Sequence, residues 1–364
     1  MLHDSTVSRS LFTTGRSRRQ DAPVTLQDVV SAVYPDSPDA VAFRYSFSDA
    51  EPQYGPSDVI NVYDTVECES YVLPMPHLNE PNSKLPAPLT ELYQPDSSQM
   101  SPSDFSALVY HTAVTLSVTA EQSDYVESQI KAQSASVLWY QQRAGRITAS
   151  SAHSVLHTDI QKFSPSLLSK ICSCDPRLLH TPAVQWGLDN KPIAIKIYTA
   201  LTTVLALPAG LNYPQNICML TPPTHNNCSV QPAGFRISVA KPFLGASPDS
   251  YVVCDYYGKG VVEVKCPYTK RHTPLSDLLP CTDFVVDANY SVRSQHKYNT
   301  QMQMQMYVCD ASYCDLVVWQ SESILIVRVH RDDHFIEAVL PKLQDAWRKH
   351  ILPSLLSLPP KKFT

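Results

Sequence analysis

Proline outnumbers glycine 30 to 9 in this 364-residue chain, and that ratio restricts where regular structure can form. Proline bars a continuous helix and breaks central strands, because it fixes φ and has no N–H to donate. From Asp21 to about Ser103 the runs YPDSPDA, PHLNEPNSKLPAPL and YQPDSSQMSPSD recur. They read as a linker or partly disordered region, residues 21–116 in all, with short strands at most, for instance around Val59–Tyr63. The first 20 residues are rich in Ser, Thr and Arg, with Asp4 the only acid. They read as a tail with a basic cluster (Arg16, Arg18, Arg19), a mitochondrial targeting segment being the lesser alternative. Residues 359–364 read as a second, short tail.

Charge divides the chain the same way. Residues 1–136 carry 7 Lys and Arg against 18 Asp and Glu, a balance of −11, and the remainder stands at +6. An acidic front joined to a basic back suggests a polyanion-binding domain with an attached tail. No run of about 18 apolar residues is present, so no membrane partner is expected. Ten cysteines lie scattered, with no secretory apolar segment at the start, which points to a reduced intracellular compartment.

Behind Leu108 the signals become regular. Thr119 stands three residues ahead of Gln122, the spacing of a capping box, and Val126, Ile130 and Val137 share one helical face over 119–138. Helices are expected over 147–156 and 183–205, and strands over 235–239, 251–254, 261–265, 314–319 and 324–330. A last helix should run from Asp332 to about Ile351, stopped by Pro353 and Pro359-Pro360. This is a mixed α/β pattern with one central sheet.

One stretch carries chemistry: Leu244-Gly-Ala-Ser-Pro-Asp249, then Gly260-Val-Val-Glu263-Val-Lys265-Cys-Pro267. Strand alternation puts Glu263 and Lys265 on one face and Val262 and Val264 on the other. If Val253 and Val262 lie on paired strands, Asp249 approaches Glu263. Two carboxylates supply hard oxygen ligands for Mg²⁺, and an ammonium beside them can orient water or balance phosphoryl charge. Read alone, the pattern also fits an ordinary hairpin with a surface Asp, Glu and Lys.

Four blocks in order give it company. They are Leu138-Trp-Tyr…Arg143-Ala-Gly-Arg-Ile-Thr-Ala-Ser150; Trp186-Gly-Leu-Asp-Asn190-Lys191-Pro-Ile-Ala194…Tyr198; the Asp249…Lys265 run; and Tyr298-Asn-Thr-Gln301-Met-Gln303-Met-Gln-Met306. Over residues 117–358 the chain resembles the YqaJ viral recombinase family, the lambda-exonuclease-like branch of the PD-(D/E)xK nucleases. The resemblance implies a restriction-endonuclease-like α/β core, a mixed central sheet flanked by helices. It implies that Asp249 and Glu263 bind the metal (Mg²⁺ or Mn²⁺), that Lys265 positions the attacking water, and that Gln303, with Gln301 nearby, lies beside the centre on a helix. Trp186 and Asn190 would support the site. Arg143 and Ser150 match positions that grip the 5′-phosphate of a DNA end, a role suited to a forked guanidinium and a hydroxyl near a helix start. Double-stranded DNA ends, a homotrimer, a single-strand annealing partner and the nucleus come with the same resemblance. Alternation of Gln and Met over 301–306 reads as a strand by period two, whereas the resemblance and residue propensity give a helix.

The pattern is broken at Lys191, where the family presents a glutamate. An ammonium there removes a hard ligand and weakens metal binding unless it swings outward, and Pro192 disfavours helical geometry at that point. Two readings follow: a Mg²⁺-dependent 5′-to-3′ exonuclease producing 3′ overhangs for recombination, or a DNA-end-binding protein that has lost turnover. A third, zinc held by Cys172, Cys174, Cys218 and Cys228, lacks a C-x₂-C pair. His153 and His157, at i and i+4, read as helix-surface residues, and Asp332, within His330-Arg-Asp-Asp-His334, as a helix cap.

Overall fold

The computed structural model describes residues 84–173, 181–203, 217–219, 227–321 and 323–359. The strand expected around Val59–Tyr63, both tails apart from Pro359, and Cys174 of the zinc reading lie outside them.

Helices α1 (Pro102–Thr115), α2 (Ala120–Gln129) and α3 (Val137–Arg143) lead into strand β1 (Ile147–Thr148) and helix α4 (Ala149–Leu156). Helices α5 (Pro165–Cys172) and α6 (Pro182–Thr203) follow. Then come β2 (Ile217–Met219), β3 (Ser229–Pro232), β4 (Arg236–Ile237), β5 (Leu244–Ala246), β6 (Ser250–Cys254) and β7 (Gly258–Lys265). A short α7 (Leu275–Leu278) and the long α8 (Lys297–Cys309) precede β8 (Tyr313–Trp319), β9 (Ile324–His330), α9 (Asp333–Ala346) and α10 (Leu352–Ser357). The main sheet runs β2-β9-β8-β7-β6-β3, and a second runs β1-β5-β4. β7 lies parallel to β8, and β2 to β9, while the remaining pairs in the main sheet are antiparallel. The fold is the expected mixed α/β sheet flanked by helices, with the small second sheet added.

Helices cover both faces of the main sheet. On one, Ala194, Ile197 and Tyr198 of α6 pack against Val252, Val262, Val264 and Val317. On the other, Met302, Met304 and Met306 of α8 pack with Val261, Leu316 and Val318. Val262 and Val264 therefore face α6, as alternation requires. Helix α8 is buried nearly all round, which explains why its sequence shows no amphipathic stripe.

Several expectations need correction. The helix expected over 119–138 breaks after Gln129, although its capping box is present as read, and Val137 is exposed. Helix α6 continues through Pro192 rather than being displaced there. Pro353 does not stop the last helix; a π turn at Trp347–Ile351 leads into α10, where Pro353 sits in the first turn, a position that tolerates its missing N–H. Packing also begins before residue 117: Leu89 is buried in the main core, and Gln142 donates to the Pro86 carbonyl at 2.8 Å.

Candidate active site

Asp249 reaches Glu263 by standing in for a strand residue. Val253 and Val262 do lie on paired strands, β6 and β7, in the register that sets Ser250 opposite Val262. One residue before the strand, the Asp249 N–H donates to the Val262 carbonyl at 2.9 Å, and its Oδ2 accepts from the Val264 N–H at 2.7 Å. The carboxylate thus extends the ladder along β7 and ends beside Glu263. Upstream in β5, Gly245 leaves room for the Phe235 ring, which a Cβ there would strike.

Glu263 points from β7 toward α8. Its Oε1 accepts from Lys265 Nζ at 2.6 Å and from Gln301 Nε2 at 2.7 Å, and its Oε2 accepts from Gln305 Nε2 at 2.6 Å. Lys265 also donates to Gln301 Oε1 at 3.0 Å. The partners on α8 are thus Gln301 and Gln305, at i and i+4 on one helical face. Gln303 is the correction: it points away, donating to the His330 carbonyl at 2.9 Å and accepting from the Asp332 N–H at 2.8 Å. Sequence reasoning missed Gln305; counting four residues on from Gln301 would have found it.

Lys191 points into the site. From α6 its Nζ meets Asp249 Oδ1 at 2.8 Å. Two carboxylates and two ammonium groups therefore balance in charge. Burial pushes the Asp249 carboxyl up, Glu263 pushes the same way, and Lys191 pulls against both. Burial also opposes ionised Glu263, but Lys265, Lys191 and the Gln305 bond outweigh it and hold its carboxyl below the usual range. Burial disfavours a charged Lys191 too, yet Asp249 and Glu263 hold the ammonium firmly protonated. Asn190 braces this helix, accepting from Trp319 Nε1 at 3.1 Å and donating to the Trp186 carbonyl at 2.8 Å. Trp186 meets Tyr268 edge-on, and its buried Nε1 has no partner among the described residues.

Arg143 lies 3.9 Å over the Trp139 ring. Trp139 Nε1 in turn donates to Ser247 Oγ at 3.0 Å, two residues before Asp249. Burial lowers the guanidinium to about 10, and among the described residues it forms no ion pair. Gly145, at φ +79°, turns the chain between Arg143 and β1, with Leu355 packed where a Cβ would project. Arg146 is turned inward to the Pro242 carbonyl at 3.0 Å. Ser150 is exposed on the first turn of α4, its Oγ 3.1 Å from Thr148 Oγ1; the cap itself is Thr148, whose N–H donates to Ser151 Oγ at 3.0 Å.

A carboxylate oxygen has about two acceptor sites, so Asp249 keeps one open on each oxygen and Glu263 keeps one on Oε2. This hard donor set suits one Mg²⁺- or Mn²⁺-type ion completed by water or phosphate. It does not suit two, because Lys191 stands where a third carboxylate would be needed. Among the described residues, which do not include Cys174, no three His, Cys, Asp or Glu side chains converge as a metal cluster. Asp332 caps α9 as expected, its Oδ1 accepting from the Phe335 N–H at 2.9 Å.

Residues 138–312, just under half of the chain, match the family model of the YqaJ-like viral recombinase domain. No curated protein matches the chain. Among solved structures, the alkaline exonuclease LHK-Exo from Laribacter hongkongensis is similar at 20% identity, over 60% of this chain and 93% of that one, with a TM-score of 0.40. The Shutoff and Exonuclease Protein of Kaposi's sarcoma-associated herpesvirus is similar at 11% identity, over 69% and 78%, with a TM-score of 0.41. A phage-related exonuclease from Haemophilus somnus 129PT is similar at 16% identity, over 57% and 93%, with a TM-score of 0.35.

Proposed function

With residues 138–312 matching the model of the YqaJ-like viral recombinase domain, we propose that the chain is a metal-dependent deoxyribonuclease of the PD-(D/E)xK type. Its substrate is the 5′ end of duplex DNA. The observation that carries this reading is the convergence of Asp249, Glu263 and Lys265 at the end of β7. Asp249 and Glu263 would hold a Mg²⁺ or Mn²⁺ ion, which supplies Lewis-acid charge neutralisation at a phosphoryl oxygen when bound. Lys265 spends two of its three N–H donors on Glu263 and Gln301. The third is free to orient a water or a phosphoryl oxygen. Arg143, with no acidic partner among the described residues and lying over the Trp139 ring, offers a fork for the terminal phosphate, and Ser150 offers a hydroxyl. The same proposal includes a homotrimer, a single-strand annealing partner for the 3′ strand left behind, and work in the nucleus.

Degradation of 5′-phosphorylated duplex with Mg²⁺ or Mn²⁺ tests it. Wild type should degrade the duplex and Asp249→Ala should lose at least ~100-fold in rate; equal rates would sink the reading. The Lys191–Asp249 contact at 2.8 Å favours a second reading, a DNA-end-binding protein with little turnover. In that case wild type binds ends without cutting them, and Lys191→Glu gains hydrolysis.

A further inference from the structure

A run of cationic side chains continues outward from Lys265. Its Nζ lies 4.2 Å from the Tyr298 ring centre, and Lys297 Nζ lies 5.3 Å from the same ring. The His296 ring meets Tyr298 edge-on at 4.7 Å, and its Nδ1 accepts from the Tyr298 N–H at 3.1 Å, capping α8. That bond keeps Nδ1 unprotonated, so the neutral ring carries its proton on Nε2, from which it can donate to an anion. Across from it on α4, the His153 ring stacks on His157 at 3.9 Å. His157 and Lys297 are exposed, while His153 and His296 are half-buried.

The groups facing these imidazoles are mostly positive. His153 faces His157, Lys297 and the Gln295 carbonyl; His296 faces Lys297, His153, Lys265 and Arg293. One acid, Asp283, faces His296 as well as Lys270. Asp283 is ion-paired with Lys270 at 2.9 Å, and Asp159 accepts from the Gln161 N–H at 2.8 Å. Among the described residues, none of the three histidines forms an ion pair with a carboxylate.

We propose that His153, His157, His296 and Lys297 form a phosphate subsite that holds the nucleic-acid strand beside the catalytic centre, with a grip that tightens as pH falls. The proposal rests on the nucleic-acid reading above and adds a place on the protein for a second part of the strand. Packing alone gives no reason to gather three imidazoles around an ammonium, since each added proton raises the repulsion among them. An anionic phosphate among them relieves that repulsion. Burial, His157 and Lys297 hold His153 below its usual value, and burial with Lys297 does the same for His296. Both are thus neutral in the free protein near pH 7. A bound phosphate favours the charged form of His153, so binding takes up a proton and affinity rises as pH falls, while neutral His296 donates from Nε2.

The test is binding of a fluorescent 5′-phosphorylated duplex by the full chain in EDTA, at about pH 6 and about pH 8, across a salt series. Wild type should bind about tenfold tighter at the lower pH. His153→Gln with His157→Gln should remove most of that difference. Lys297→Gln, an exposed change that leaves the His296 cap intact, should weaken binding at both pH values and reduce the salt slope by about one. It keeps the test decisive if the double variant fails to fold. Wild type that binds and cuts DNA, with variants indistinguishable from it in pH and salt dependence, overturns the subsite alone. Wild type that binds no DNA at either pH overturns the subsite and the nuclease reading together.

Discussion

Three hydrogen bonds from neutral donors and two ion pairs fix the two site carboxylates, and rotation along one helix decides which glutamines take part. Residues four apart on α8 face the same way, so Gln301 and Gln305 both reach Glu263. Gln303 lies between them on the opposite side and joins α8 to the β9–α9 junction instead. Replacing Gln303 by Ala strands the His330 carbonyl and the Asp332 N–H. It should cost about 1–3 kcal/mol in chemical denaturation while leaving DNA-end binding intact. Lost end binding at unchanged stability would contradict this assignment. The block Tyr298–Met306 was legible in sequence, as was its helical state by resemblance. Which glutamine faced the site was not, because matching a spaced motif says nothing of the 100° turned at each helical residue.

At the level of elements, β8 and β9 are joined by more than their ladder. Asp315 and Val262 are paired across β8 and β7, and the Asp315 carboxylate is fully buried. Arg328 on β9 donates to both its oxygens at 2.8 Å, and the Tyr198 hydroxyl on α6 donates to Oδ2 at 2.7 Å. Arg328 is sandwiched by Tyr313 at 3.9 Å and Tyr257 at 4.5 Å. Removing one partner of such a pair leaves an uncompensated buried charge, so Asp315→Ala should lower stability by about 3–5 kcal/mol. A denaturant midpoint equal to wild type would refute that. Sequence placed these strands well, since β9 falls on the expected 324–330, but the pair was invisible: its members sit 13 residues apart on separate strands. Proline misled in the other direction. Pro192 reads as a breaker, yet α6 bridges it because Ala194, Ile197 and Tyr198 beyond it are locked into the core.

For the molecule as a whole, the site owes its position to the layering of the fold. β7 carries Glu263 toward α8 on one side of the sheet, while α6 on the other side delivers Lys191 to Asp249 at the strand's edge. The acid pair and the ammonium that opposes it thus come from different layers, and no short motif could report how they meet. Residue identities alone showed that Lys191 replaced a glutamate; its direction required the folded chain. In the proposed function Lys191 is a resident cation that competes with a divalent ion for the Asp249–Glu263 pair. Calorimetric titration of Mn²⁺ into wild type, Asp249→Ala and Lys191→Glu, without DNA, tests this most directly. Lys191→Glu should bind at least ~10-fold tighter than wild type, and Asp249→Ala should bind no ion at this site. Equal Mn²⁺ affinity in wild type and Lys191→Glu would contradict it.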